Sequence, residues 1–130
     1  MAEAGIAADA WHLTDGSGLA RTNLVTPETV VKLLRFMYDS PARDDWISLL
    51  PVGGQDGTLS RRFAEPGGAS GTGSRVHAKT GSVAHVSALS GYLQRVNGEW
   101  IAFSILVNNY NGPSAEITAA MDRICVLIME

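Results

Sequence analysis

Arg75-Val76-His77-Ala78-Lys79-Thr80-Gly81-Ser82-Val83 decides how the rest of this chain is read. It sets a cation, a hydroxyl and a glycine in a row between apolar or small residues. Arg75 to Ser82 reads as a strand. Ser87 to Val96 reads as a second strand, and Asn97-Gly98 is a tight-turn signal that leads into a third, Trp100 to Tyr110. Along the third, Ile101, Phe103, Ile105 and Val107 alternate onto one face. The pattern predicts an antiparallel sheet of at least three strands, with Lys79 on an edge. A lysine facing a cleft from an edge strand can hold a carboxylate or, when desolvated, exchange a proton. Thr80 offers a hydroxyl to the same anion. Gly81 lets a ligand approach the backbone closely. The N–H of Ser82 is placed to stabilise an oxyanion. The spacing fits an ordinary exposed lysine equally well, because edge strands often carry lysine.

Outward from this stretch, the elements follow local rules. Thr26-Pro27-Glu28-Thr29 is a helix start, with Thr26 as cap and Pro27 at the first helical position. Val30, Val31, Leu33, Leu34, Met37 and Tyr38 recur at helical spacing, and the helix should end before Pro41. A short second helix is expected from Asp44 or Asp45 to Leu50, stopped by Pro51. One helical turn is expected over Leu59 to Ala64. The glycine- and serine-rich segment from Glu65 to Ser74 reads as a mobile loop. A last helix should start at Pro113 and bury Ile117, Ala120, Met121, Ile124 and Leu127 or Ile128. The fold class is therefore α/β of the α+β kind, with one sheet face to cover and helices to cover it. Residues 1 to 12 are alanine-rich, lack a cap, and read as the tail of something rather than a beginning.

Composition excludes several function classes. The chain has 130 residues, of which 45% are hydrophobic and 18% charged, enough apolar material for one domain with a real core. Net charge is −3, so neither a nucleic acid nor an anionic membrane is an expected partner. No apolar run approaches the roughly 18 residues of a spanning helix. The first residues have neither a basic start nor a long apolar run, so no signal peptide is read there. Cys125 is the one cysteine and reads as a buried small hydrophobe. His12, His77 and His85 have no metal-binding spacing, and no metal or cofactor is expected. His77 shares a strand face with Lys79 but reads as a surface histidine. His12 and His85 read as surface or turn residues. Asp15 and Asp56 read as loop-fixing carboxylates rather than acids or bases. Trp46 and Trp100 read as core or interface residues, and Asn108-Asn109-Tyr110, at a strand end, fits a turn at least as well as a cleft wall.

Four ordered blocks carry a resemblance. They are Asp15-Gly16-Ser17-Gly18-Leu19 continuing to Thr26-Pro27, Leu50-Pro51-Val52 continuing to Asp56-Gly57-Thr58-Leu59, Ala78-Lys79-Thr80-Gly81-Ser82, and Leu89-Ser90-Gly91-Tyr92. Together they resemble the D-alanyl-D-alanine carboxypeptidase/endopeptidase penicillin-binding proteins of the serine peptidase S13 (DacB-like) family, over nearly the whole chain. The resemblance implies a partial β-lactamase/penicillin-binding-protein transpeptidase-like fold. It also implies action on peptidoglycan stem peptides, binding of β-lactams, and a periplasmic or otherwise extracytoplasmic location. It assigns substrate binding to Lys79, Thr80, Gly81 and Ser82, and catalytic roles to Lys79 and to the N–H of Ser82.

Two of the family's motifs are missing from these residues. The acyl-enzyme nucleophile belongs to a Ser-x-x-Lys helix. Only Lys32 and Lys79 are available to end one, and Thr29 and Val76 stand three residues before them. No serine has an asparagine two positions later, so Ser-x-Asn is absent too. Ser17 lies between glycines but lacks the wider Gly-x-Ser-x-Gly pattern. The expectation is a C-terminal segment of a penicillin-binding catalytic domain, residues 1–130, with no nucleophile and no activity alone. Its partners would be the upstream half of the domain and a stem peptide or β-lactam. The alternative is a non-catalytic binding module that self-associates through an open sheet edge.

Overall fold

The computed structural model describes residues 1–64 and 71–130. Residues 65–70 of the expected loop lie outside the described residues. Near the N-terminus, 3₁₀ turns at Ala2–Ala4 and Ala8–Ala10 precede a short strand, β1 (Trp11–His12). It pairs antiparallel with β2 (Leu24–Val25). The expected tail is thus tied down, and Ile6 within it is buried. Helix α1 (Pro27–Tyr38) begins as its sequence predicts, with the Thr29 N–H donating to Thr26 Oγ1 at 3.1 Å. Helix α2 (Arg43–Ser48) and 3₁₀ turns at Gly57–Leu59 and Gly73–Arg75 lead to the sheet. The turn expected over Leu59 to Ala64 therefore forms two residues earlier, with Leu59 as its buried end.

The sheet is the predicted meander. Strand β3 (Val76–Val83) pairs antiparallel with β4 (Val86–Gln94), which pairs antiparallel with β5 (Trp100–Asn108). Strand β5 stops short of Tyr110 because Asn109 takes a positive φ of 57° and turns the chain out of the ladder. Helix α3 (Ser114–Met129) closes the chain.

Both faces of the sheet are covered, not one. Val76, Ala78, Leu89, Leu93 and Phe103 face Met121, Cys125 and Met129 of α3, with Leu59 completing this core. Burial of the Cys125 thiol among these groups pushes its pKa up to about 12. On the other face Tyr92 and Trp100 point at α1. The Tyr92 ring lies 5.8 Å from Tyr38, and its hydroxyl donates to the Leu34 carbonyl at 2.6 Å while accepting from Trp46 Nε1 at 3.0 Å. Burying a tyrosine needs such a partner for its hydroxyl. The single-face expectation fails because β4 alternates Leu89 and Leu93 to one side with Tyr92 to the other, so both sides carry apolar bulk.

Helix α3 buries its expected stripe in part: Met121 is in the core, and Ile117 and Ile128 pack against it. Met121, Cys125 and Met129 are buried, whereas Ala120, Ile124 and Leu127 are exposed, Leu127 to 58%. The helix is apolar on more than one face, so periodicity does not choose among faces. The i, i+4 series Ile117-Met121-Cys125-Met129 meets the sheet.

Candidate functional site

Strand β3 is an outer strand of the sheet, and its free edge is divided in two. Over its first half the segment after Pro51 lies alongside. The Gly53 N–H donates to the Val76 carbonyl at 2.9 Å, the Ala78 N–H donates to the Pro51 carbonyl at 3.0 Å, and Val52 bridges His77. Contact at this corner is tight, since a Cβ on Gly53 would come within 2.7 Å of the Gly73 carbonyl oxygen. The bridge stops before Lys79. Alternate residues of a strand send their backbone groups to opposite sides. Ala78 points its N–H outward, so Thr80 and Ser82 do the same, and no acceptor meets them among the described residues.

The four expected residues therefore come together on one open edge. Lys79, Gly81 and Ser82 are exposed and Thr80 is partly so. Lys79 Nζ donates to the Thr80 carbonyl at 2.8 Å, which brings the ammonium to the edge. None of the ion pairs among the described residues uses Lys79. Its charge is thus available to an incoming anion. The Thr80 hydroxyl donates to Thr58 Oγ1 at 2.9 Å. Across the sheet Lys79 stands opposite Ser90, and Ser90 opposite Ser104, with their hydroxyls 2.9 Å apart. A cation, two outward N–H groups and a hydroxyl on one edge suit a carboxylate lying next to a carbonyl.

The other candidates lie elsewhere in the fold. Asp15 accepts from both the N–H and the hydroxyl of Ser17, at 3.0 and 2.8 Å. Ser17 thus belongs to a turn held by Asp15, away from the β3 edge. The same two bonds hold the Asp15 carboxyl below its ordinary range. Asp56 Oδ1 accepts from the Val52 N–H at 2.7 Å, fixing the loop as expected. His85 sits at the β3–β4 turn with φ 62°, and its Nδ1 lies 2.8 Å from the Tyr110 carbonyl oxygen. Sequence reasoning missed Thr58. It stands in the sequence only within Asp56-Gly57-Thr58-Leu59, the end of one block that carries the resemblance, with no role of its own.

His77 corrects another expectation. It shares the Lys79 face but is half-buried, its ring centroid 5.2 Å from that of Trp100 and its Nδ1 buried without a partner among the described residues. Desolvation pushes its pKa below 6.5, against smaller opposing effects of the Ser74 backbone and the Asp56 charge. The folded state therefore favours neutral imidazole. The stability this contributes is present above the unfolded value of 6.5. It is lost as the pH falls below that value, until the ring ionises in the folded chain as well. Thermal melts at pH 7.5 and pH 5.5 test this. The loss of melting temperature on acidification should be smaller in His77→Gln than in the parent chain, and equal losses would refute the assignment.

Comparison with known proteins joins the chain to a family. The model of the D-Ala-D-Ala carboxypeptidase 3 (S13) family matches residues 1–127. A D-alanyl-D-alanine carboxypeptidase from Actinomadura sp. is 44% identical over 125 residues, which is 91% of this chain and 22% of that protein. The chain thus spans about a fifth of that relative's length. A D-alanyl-D-alanine carboxypeptidase from Haemophilus influenzae is 37% identical over 76% of this chain and 20% of its own. The crystal structure of penicillin binding protein 4 from the same organism superposes with a TM-score of 0.84 at 28% identity, covering 99% of this chain and 30% of that one. That protein has also been solved in complex with a β-lactam. With a family match along almost its whole length, the chain belongs to the D-Ala-D-Ala carboxypeptidase 3 (S13) family.

Proposed function

We propose that residues 1–130 form the Lys-Thr-Gly wall of a D-Ala-D-Ala carboxypeptidase site that works by serine acylation on peptidoglycan stem peptides, outside the cytoplasm. Lys79 and Thr80 grip the free C-terminal carboxylate of the peptide, or the carboxylate of a β-lactam. Gly81 keeps the edge open to the ligand backbone. The Ser82 N–H is half of the oxyanion hole. The serine that attacks the scissile carbonyl, and the groups that activate it, come from polypeptide other than these residues, because neither Ser-x-x-Lys nor Ser-x-Asn occurs here. On this reading the 130-residue chain holds the carboxylate but does not form the acyl bond.

The observation that carries the reading is the half-covered edge of β3. The Pro51–Gly53 segment occupies the strand up to Ala78 and leaves the ammonium of Lys79 and the N–H groups of Thr80 and Ser82 open side by side. The S13 family membership supports the choice of ligand. Two measurements on the same sample test it. Incubation with a fluorescent penicillin followed by denaturing electrophoresis should leave no label on the chain; a covalent label would show that a nucleophile lies within it. Titration of the ¹⁵N-labelled chain with an N-acyl-D-Ala-D-Ala peptide should move the Thr80 and Ser82 amide resonances. Shifts confined to other elements would remove the edge from the binding site.

A further inference from the structure

The Thr58 side chain is exposed, yet its position is closely built. Asp56 Oδ1 closes a ring on the Val52 N–H. Gly57 takes a positive φ of 51°, and a Cβ there would lie 3.1 Å from the Pro51 ring. Leu59 is fully buried, and its carbonyl accepts from the Gly54 N–H at 3.0 Å. Between these anchors Thr58 is exposed. Its one side-chain hydrogen bond among the described residues is to Thr80, 22 positions away.

The direction of that bond poses a question. Thr80 donates to Thr58. A hydroxyl has one proton and two acceptor lone pairs. While Thr80 points its proton at Thr58, it has none to offer a carboxylate. The Thr58 proton meanwhile has no acceptor among the described residues.

We propose that Thr58 is a positioning residue for the carboxylate grip, alternating between accepting from and donating to Thr80. With the edge empty, Thr58 Oγ1 accepts the Thr80 proton and holds its rotamer. When a carboxylate arrives, Thr80 rotates its proton to the anion and Thr58 donates its own proton to Thr80 Oγ1. Both hydroxyls keep their protons; only torsions change. The resulting series, Thr58 to Thr80 to carboxylate, ends on a charged acceptor, and each donor polarises the next. This inference rests on the proposed role of the β3 edge.

Titrations of the 130-residue chain with an N-acyl-D-Ala-D-Ala acid and with its C-terminal amide separate the two claims. Thr58→Val should weaken the acid about fivefold, the range of one net hydrogen bond. It should leave the amide unchanged, and Thr58→Ser should restore acid binding to within about twofold. Thr58→Ala makes the same prediction as Thr58→Val should the latter misfold. Thr58→Val binding the acid like the parent chain overturns the inference and leaves the edge reading intact. Equal weakening of acid and amide also overturns it, because the role is then structural. A parent chain that binds acid and amide equally sinks the edge reading and this inference together.

Discussion

Gly91→Ala is expected to lower the stability of the chain by about 3 kcal/mol or more and to shift its urea midpoint down by about 1–2 M. Gly91 lies in β4 directly opposite Ala78 of β3. A Cβ built there would sit 2.1 Å from the His77 carbonyl oxygen, 2.6 Å from Ala78 Cα and 2.9 Å from Ala78 Cβ. Two of these atoms are backbone, and the third is fixed to it, so no side-chain rotation relieves the clash. The strands must separate, next to the Val76, Ala78 and Leu93 positions that are fully buried in the core. Separation at this point also displaces Lys79, one residue along. Gly16→Ala is the control, because nothing lies within 4 Å of a Cβ at that position. A Gly91→Ala midpoint within about 0.3 M of the parent's would show that the sheet accommodates the methyl group.

Lys79→Met should abolish the preference of the chain for an acyl-D-Ala-D-Ala acid over its amide. The lysine is exposed, donates to the Thr80 carbonyl at 2.8 Å, and belongs to none of the ion pairs found among the described residues. Methionine keeps much of the side-chain length and removes the charge. A hydrogen bond to a charged group contributes about 1.5–3 kcal/mol, so acid affinity should fall roughly 10- to 150-fold. Affinity for the amide should hardly change. Because the side chain is exposed, folding should be unaffected. Lys79→Arg should rescue only partly, since a planar guanidinium does not occupy the space of a point ammonium. Acid binding by the parent chain should also weaken with added salt, whereas that of Lys79→Met should not. Retained acid preference in Lys79→Met would exclude the lysine from the grip.

The residues of the candidate site were legible as a group because they are adjacent in sequence. Lys79, Thr80, Gly81 and Ser82 are consecutive, and the Asn97-Gly98 turn pairs the strands that follow. The pairing then makes β3 an outer strand. Thr58 was not legible, because its meaning depends on a contact with Thr80 from a distant loop. His77 was misread for a related reason. Alternation puts it on the Lys79 face, but only the packing of Trp100 against that face shows that it is half-buried.

By itself, the sequence determined the local choices: three strands from period-two alternation, α1 from the Thr26-Pro27 start, a turn at Asn97-Gly98, and an S13 signature in four ordered blocks. These depend on neighbours a few residues apart, whose backbone preferences and caps act before any distant contact forms. Tertiary structure decided which near-equivalent apolar face of α3 meets the sheet, that α1 covers the second face, and that the Pro51–Gly53 segment stops at Ala78. Those outcomes depend on shape and hydrogen-bond partners supplied from far along the chain, and periodicity carries no information about them.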